Sequence, residues 1–310
     1  MSLRKRPDIA RQPTSYAVHA ALVVVQVAFA AGAVEGKLAL NPSSAGGGGI
    51  DPIALAMARM SGAALFFQAY TRATGRLRAV PSPEHWRIAG LAVLGVVLNQ
   101  TLFLVGLRLT SAFAAALLGA TIPVFAAALA VAFRIERPSV RTALGLALAI
   151  AGVLWLTGIG SLDRGAIAIA LNCLSYAFYI VLSKRVIERL GALTVVTWLF
   201  TWGTMVMAPI GGRGLLLGLA TWNARAWVFV SFFVAIPTII AYLANAWALA
   251  RSGPTLVTVY IYLQPLIAAI MQWVQLGEPI APRALAASGF ILAGVGVVAT
   301  RRVVSAPPAV

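Results

Sequence analysis

The sequence predicts an all-α integral membrane protein, with ten transmembrane helices arranged as two inverted five-helix repeats. Three observations carry that expectation. Of the 310 residues, 61% are hydrophobic and only 10% charged, and the mean hydropathy is +0.91; a soluble domain has about 25% charged residues. Apolar runs of about 20 residues, long enough to cross a hydrocarbon core of about 30 Å, recur along the whole chain. One pattern is also written twice. Pro123 precedes Glu136 by 13 residues and Pro265 precedes Glu278 by 13; Arg141 and Arg283 follow, and Ala-Gly-Val closes each copy at 151–153 and 293–295. The offset is 142 residues throughout.

Taken in order, the spans read 16–38, 52–71, 87–107, 111–133, 140–159, 165–184, 193–210, 226–248, 254–276 and 284–301. The first follows a basic start (Arg4 to Arg6), and its Ala28-Phe29-Ala30 looks like a signal-peptide cleavage site. The apolar run continues through Val34, however, and cleavage would cost the first repeat its opening helix, so a retained helix is expected. Spans three and four, and spans eight and nine, are joined by tight hairpins at Arg108 to Ser111 and Arg251 to Pro254. The repeats are expected at 16–159 and 165–301, with short tails at either end.

Basic residues orient the chain. With the N-terminus inside, 17 of the 24 Lys and Arg fall in cytoplasmic segments or at the span ends beside them and 6 on the outer side, and Arg59 is the one basic residue well inside a span. Both termini are therefore expected in the cytoplasm. Five spans per repeat is an odd number, so the second copy enters from the opposite side, related to the first by a pseudo-two-fold axis in the membrane plane. Such symmetry suits transporters, because two alternative closures of one central site become near-equivalent. Transport is therefore the better reading than duplication without function. Glu136 falls at the cytoplasmic end of span four and Glu278 at the outer end of span nine, as inversion requires.

Other classes fit poorly. The net charge of +16 comes from short breaks between apolar runs, with no basic stripe and interleaved aromatics, so no nucleic-acid partner is expected. Cys173 is the only cysteine, which leaves no disulfide framework and no cysteine metal site. There are two histidines, His19 and His85, with no intramembrane carboxylate pair, His-Glu ligand set or GxSxG elbow. The run Gly46 to Gly49 lacks the Lys-Ser/Thr of a nucleotide cradle. No enzyme, metal or cofactor is expected. The partners expected are a small-molecule substrate and membrane lipid.

The stretch from Asn99 to Leu156 resembles the first half of an EamA-type member of the drug/metabolite transporter superfamily, and the stretch from Ala241 to Val298 resembles the second half. The likeness extends to Asp51-Pro52 followed by Arg59 in span two, and to Ser175-Tyr176-Ala177 in span six. One departure is Ile135 before Glu136, where the family pattern has the glycine seen at Gly277. The resemblance implies a multi-pass transporter of the cell inner (plasma) membrane with its substrate cavity between the halves, similar to bacterial amino-acid and metabolite exporters.

Helical spacing nominates the cavity faces. Span six presents Asn172, Ser175 or Tyr176, Tyr179 and Ser183; span eight presents Thr238, Tyr242 and Asn245. Span three offers Asn99, Gln100 and Phe103, span one offers His19, Gln26 and Phe29, and span nine offers Tyr260, Tyr262 and Gln264. The candidate substrate-binding residues are Gln26, Phe29, Asn99, Phe103, Asn172, Tyr176, Tyr179, Thr238, Tyr242, Tyr260 and Gln264. The competing reading is interhelical glue, worth about 0.6 kcal/mol per hydrogen bond. Pro123, Pro265 and Pro237 are expected to free backbone carbonyls in mid-span, as hinges or as static kinks. Glu136 and Glu278, at span ends beside basic neighbours, are expected as structural anchors. With no carboxylate at midplane, diffusion down a gradient or exchange is favoured over proton coupling.

Arg59 has four readings: snorkelling outward, binding a lipid phosphate, pairing with Glu35, or meeting a substrate carboxylate; a structural pairing is favoured. The absence of a midplane cluster of Lys and Arg, together with the aromatic lining, points to a neutral or zwitterionic solute, with hydrophobic or aromatic amino acids the first expectation. Efflux of drugs or other neutral metabolites is the alternative, and a non-transporting scaffold or receptor the third reading.

Overall fold

The structure, a computed structural model, describes residues 16–133, 140–157, 164–252, 257, 260–277, 279–280 and 282–299. Every regular element among them is helical. Helices Tyr16–Leu40 (α1), Pro52–Ala73 (α2), Ser82–Leu109 (α3), Ala112–Ala132 (α4) and Val140–Thr157 (α5) make up the first copy. Arg164–Leu190 (α6), Ala192–Thr221 (α7), Ala224–Arg251 (α8), Leu263–Leu276 (α9) and Pro282–Ala299 (α10) make up the second. Seven of them, α1 to α4 and α6 to α8, are long and apolar enough to cross a membrane by length and composition. Glu136 and Glu278 lie outside the described residues, as do the expected repeat boundaries at 159 and 301.

Local chemistry sets the helix starts. Asp51 accepts the backbone N–H of Ile53 (2.9 Å) and Ala54 (3.0 Å), with Pro52 as the first helical residue of α2. Ser111 caps α4 through Ala114 N (3.1 Å), and Asn223 caps α8 through Ala226 N (2.9 Å). A further orphan donor of α4, Phe113 N, reaches the buried Gln272 Oε1 of α9 (2.8 Å).

Several boundaries differ from expectation, among them the start of α3 at Ser82 rather than 87. α7 was expected to stop at 210 but continues through Pro209 to Thr221, which puts Arg213 on a helix rather than in a loop. Glycine explains the extension: α7 lies so close to α2 that a Cβ at Gly211 would stand 2.9 Å from Met57 Cβ, and this packing holds the helix together beyond its proline. Likewise α6, expected to end at 184, runs to Leu190.

The copies superpose in sequence without a gap from residue 82 onward. α3 and α8 start at Ser82 and Ala224 and end at Leu109 and Arg251, each pair 142 apart. α5 and α10 start at Val140 and Pro282 and end at Thr157 and Ala299, again 142 apart. The residues that end the hairpin helices are extended in both copies, Thr110 at φ −129°, ψ 177° and Ser252 at φ −137°, ψ 176°. Packing follows the same rule. Exchanging the copies maps the α3–α6 contact onto α8–α1 and the α4–α6 contact onto α9–α1, while α2 packs on its own mate α7 and α5 on α10. The outer surface is apolar: Leu65, Leu216, Val228 and Trp273 are each about two-thirds or more exposed, as suits a protein solvated by lipid.

Candidate functional site

Both α3 and α8 carry a π-helical turn at mid-length, Val93–Leu98 and Ala235–Ile240, again 142 residues apart. A π turn loosens the hydrogen-bond ladder and commonly marks a functional site. The two arise from different residues. In α8, Pro237 sits inside the turn and supplies no backbone donor, and Phe233 O accepts from the Thr238 hydroxyl instead (2.6 Å). In α3 the corresponding residue is Gly95. The Tyr179 ring of α6 lies where its side chain would be, so a Cβ there would stand 2.4 Å from Tyr179 Cδ2.

The carbonyls of the α3 turn are then satisfied by side chains. Ser175 Oγ donates to Leu94 O (2.7 Å) and Asn172 Nδ2 to Asn99 O (2.6 Å). The Tyr242 hydroxyl shares its proton between Gly95 O (3.1 Å) and Asn99 Oδ1 (3.2 Å). Part of the expected polar face of α6 and α8 is thus occupied in holding the turn together.

The other expected breaks also come as a pair. α4 is interrupted at Ala120 and Thr121, so Pro123 stands in the first turn of the second half-helix, Ile122–Ala132. There its missing N–H removes no hydrogen bond. Leu118 O, left at the break, accepts from Thr121 Oγ1 (2.7 Å) and Cys173 Sγ (3.4 Å). α9 starts just after the 3₁₀ turn Tyr260–Tyr262, with Pro265 as its third residue.

These π turns and breaks surround one cavity of about 90 Å³. Copies one and two supply it with equivalent positions: Gln100 and Tyr242, Phe103 and Asn245, Ala115 and Val257, Gly119 and Ile261, Ile122 and Gln264, each pair 142 apart. α1 adds Gln26, Phe29, Gly32 and Ala33, α6 adds Asn172, Tyr176 and Ile180, and α2 adds Arg59. Gln264 Nε2 donates to Gln26 Oε1 (2.6 Å), and Asn245 Nδ2 to Tyr176 OH (3.3 Å). Phe29 meets Tyr242 edge to face at 6.2 Å. The wall is therefore aromatic and amide, able to hold an apolar ring while hydrogen-bonding a polar group.

Eight of the expected residues line this cavity: Gln26, Phe29, Asn99, Phe103, Asn172, Tyr176, Tyr242 and Gln264. Three do not. Tyr179 is buried behind the wall, stacked on Tyr176 at 5.6 Å and packed over Gly95. Thr238 is fully buried within the α8 turn. Tyr260 stands away from the lining and hydrogen-bonds His19 Nδ1. For Tyr179 and Thr238 the reason is depth, which helical spacing does not report and which depends on what packs in front; Tyr260 belongs to a 3₁₀ turn and is directed to His19 instead.

Arg59 corrects a different expectation. It is 4% exposed and lines the cavity, so the wall does carry a basic group at depth. The anticipated pairing with Glu35 is not formed: among the described residues no carboxylate lies within 4.0 Å of the guanidinium. Instead Nε donates to Thr238 Oγ1 (3.0 Å), and the guanidinium carbon lies 5.0 Å from the centre of the Phe233 ring. An arginine at the centre of a span costs about 2.5–3.5 kcal/mol; a cation–π contact returns about 0.5–2. Phe233 and Ile122 were not anticipated: neither continues a polar face at helical spacing, as Phe29 does with Gln26 and Phe103 with Asn99 and Gln100.

Comparisons with known proteins agree with this architecture. The EamA-like transporter family matches residues 19–158 and 163–300. An uncharacterized transporter of Bacillus subtilis (strain 168), YdfC, is 29% identical over 192 residues, 61% of this chain and 62% of that one; the match thus spans less than two thirds of that relative. A probable terminal-alkyne amino-acid exporter of Streptantibioticus cattleyicolor is 27% identical over 223 residues, 71% of this chain and 73% of that one. One crystal structure aligns with a TM-score of 0.59 at 17% identity, covering 93% of this chain and 98% of the other, a likeness of fold.

Proposed function

This chain belongs to the EamA-like transporter family, and on that premise we propose that it exports small neutral or zwitterionic metabolites, hydrophobic and aromatic amino acids foremost, by alternating access. In this reading ten helices span the cell inner (plasma) membrane as two inverted repeats, with both termini in the cytoplasm. One observation carries it: a single cavity is walled by equivalent positions of both copies, and its lining combines aromatic rings, amides and small aliphatic residues rather than clustered charges. A site on the pseudo-axis can be closed from either side by near-equivalent motions.

The cavity of about 90 Å³ is smaller than the ~150 Å³ that holds benzene, so an aromatic solute requires the walls to part. The π turns of α3 and α8 and the breaks ahead of Pro123 and Pro265 are the places where helices bend without breaking a regular ladder, and they serve as the hinges. The described lining includes no Asp or Glu, which supports uniport or exchange over proton coupling through a cavity carboxylate.

Counterflow of labelled phenylalanine, threonine and a cationic dye into proteoliposomes tests this. Phenylalanine flux above threonine is expected. Dye flux without phenylalanine flux would instead establish drug efflux, and no flux of any solute alongside tight binding of a protein partner would establish a scaffold.

A further inference from the structure

We propose that Arg59 and Gln100 together form a carboxylate-recognition point in the cavity wall, so that the solute carries a single carboxylate. The inference rests on the reading of this cavity as the transport site and names the chemistry it selects. Arg59 comes from α2, eight residues beyond the capping Asp51, and is almost wholly buried. Its guanidinium offers five N–H donors. Only the one on Nε is engaged, by Thr238 Oγ1, and the donors on the two terminal nitrogens have no partner among the described residues. Its orientation is fixed twice over. Thr238 is itself anchored, donating to Phe233 O across the π turn, and the Phe233 ring covers one face of the guanidinium. The α8 turn thus holds the arginine in place while leaving its terminal donors unused.

Gln100 is the second, independent observation. It is 1% exposed, lines the same cavity, and neither its amide oxygen nor its amide nitrogen has a hydrogen-bond partner. The neighbouring Tyr242 hydroxyl directs its proton to Gly95 O and Asn99 Oδ1, so it offers none to Gln100 Oε1, and its oxygen lies near the Gln100 amide without reaching hydrogen-bond geometry. Buried polar groups are ordinarily satisfied, and one left open on a cavity wall is completed by what enters. The Nε2 donor of Gln100 adds to the guanidinium's for a carboxylate.

Charge sets the class. Arg59 is the one charged residue among the described lining, so the wall carries a single uncompensated positive charge in a low-dielectric setting. A monocarboxylate neutralises it with charge-assisted hydrogen bonds. A dianion such as a phosphate monoester is left with unpaired charge, and a cation is repelled. In a zwitterionic amino acid the ammonium group then falls to amide oxygens and to the aromatic faces of Phe29 and Tyr242.

The test uses the full-length protein in detergent and in proteoliposomes, with ligand pairs that differ only at the carboxylate: phenylalanine against phenylalaninamide, and 3-phenylpropionate against 3-phenylpropionamide. Wild-type protein is expected to bind each carboxylate at least tenfold more tightly than its amide. In Arg59→Gln that ratio should fall to within about twofold for both pairs, with the loss of affinity falling on the carboxylate of each; Gln100→Leu should lower the ratio about threefold. Equal binding of acid and amide by the wild type overturns the proposal, and so does a folded Arg59→Gln protein that keeps the preference. If Arg59→Gln does not fold, the wild-type ratios and Gln100→Leu decide. Phenylpropionate preference without phenylalanine flux would uphold the recognition point and refute amino-acid export. Phenylalanine flux without carboxylate preference would do the reverse.

Discussion

Between α3 and α8 the backbone repeats and the chemistry does not. The two helices have the same length, the same π turn at the same distance from each end, and the same extended residue after their last turn. At equivalent cavity positions, however, α3 presents Gln100 and Phe103 where α8 presents Tyr242 and Asn245. Even the turns are produced in opposite ways. In α3 the bulged helix contributes the glycine, Gly95, and α6 contributes the large group, Tyr179. In α8 the bulged helix contributes the large group, Pro237, and α1 contributes the glycine, Gly32, where a Cβ would stand 3.2 Å from Pro237 Cβ. Duplication supplied a frame whose motions can be symmetric. Divergence within that frame made a site with one cation and one set of open donors, which a single small solute can satisfy.

That comparison can be broken or sharpened by substitution. The largest effect is expected at Gly95→Ala, whose new Cβ meets a ring at 2.4 Å. Overpacking should cost about 1–3 kcal/mol, read as a lower melting temperature in detergent, and adding Tyr179→Ala should recover much of it. Failure of that rescue would separate the α3 turn from the Tyr179 contact. Next, Tyr242→Ala should cut solute flux about tenfold, equivalent to about 1.4 kcal/mol, with the protein still folded. Tyr260→Phe, outside the lining, should stay within about twofold of wild type. Equal effects in the two would dissolve the distinction between cavity wall and surrounding helix contacts.

The ends of the two helices offer a smaller contrast. The C-terminal carbonyls of α3 and the residue that follows are capped by Lys37 of α1, which donates to Leu107 O (3.1 Å), Arg108 O (3.1 Å) and Thr110 O (2.7 Å). α8 uses its own Arg251, exposed and bonded to Trp247 O (3.3 Å). Lys37→Met should cost roughly 1–2 kcal/mol and Arg251→Met about 0.5 kcal/mol, measured by thermal unfolding. A small effect is also expected at Gly32→Ala, below about 0.5 kcal/mol, because 3.2 Å of separation needs only a few tenths of an ångström of relaxation. A loss there as large as at Gly95 would mean that the α1–α8 contact is as tight as α3–α6.

The sequence by itself determined much of this protein. Length and apolarity of the runs located the helices, because a chain in hydrocarbon must satisfy its backbone internally. The 142-residue offset identified two copies, and the same offset recurs in helix ends, π turns and cavity positions. The polar faces of α1, α3, α6 and α8 named most of the polar side chains that line the cavity. Only the tertiary structure decided depth and partnership. Tyr179 and Tyr176 lie on one helical face, three residues apart, yet Tyr176 reaches the cavity and Tyr179 packs over Gly95. Arg59 reads as a stray charge until α8 comes across it with Thr238 and Phe233. Periodicity reports the direction in which a side chain leaves its own helix. What it meets depends on the neighbouring helix, whose approach is set by small residues and hydrogen bonds far away in sequence.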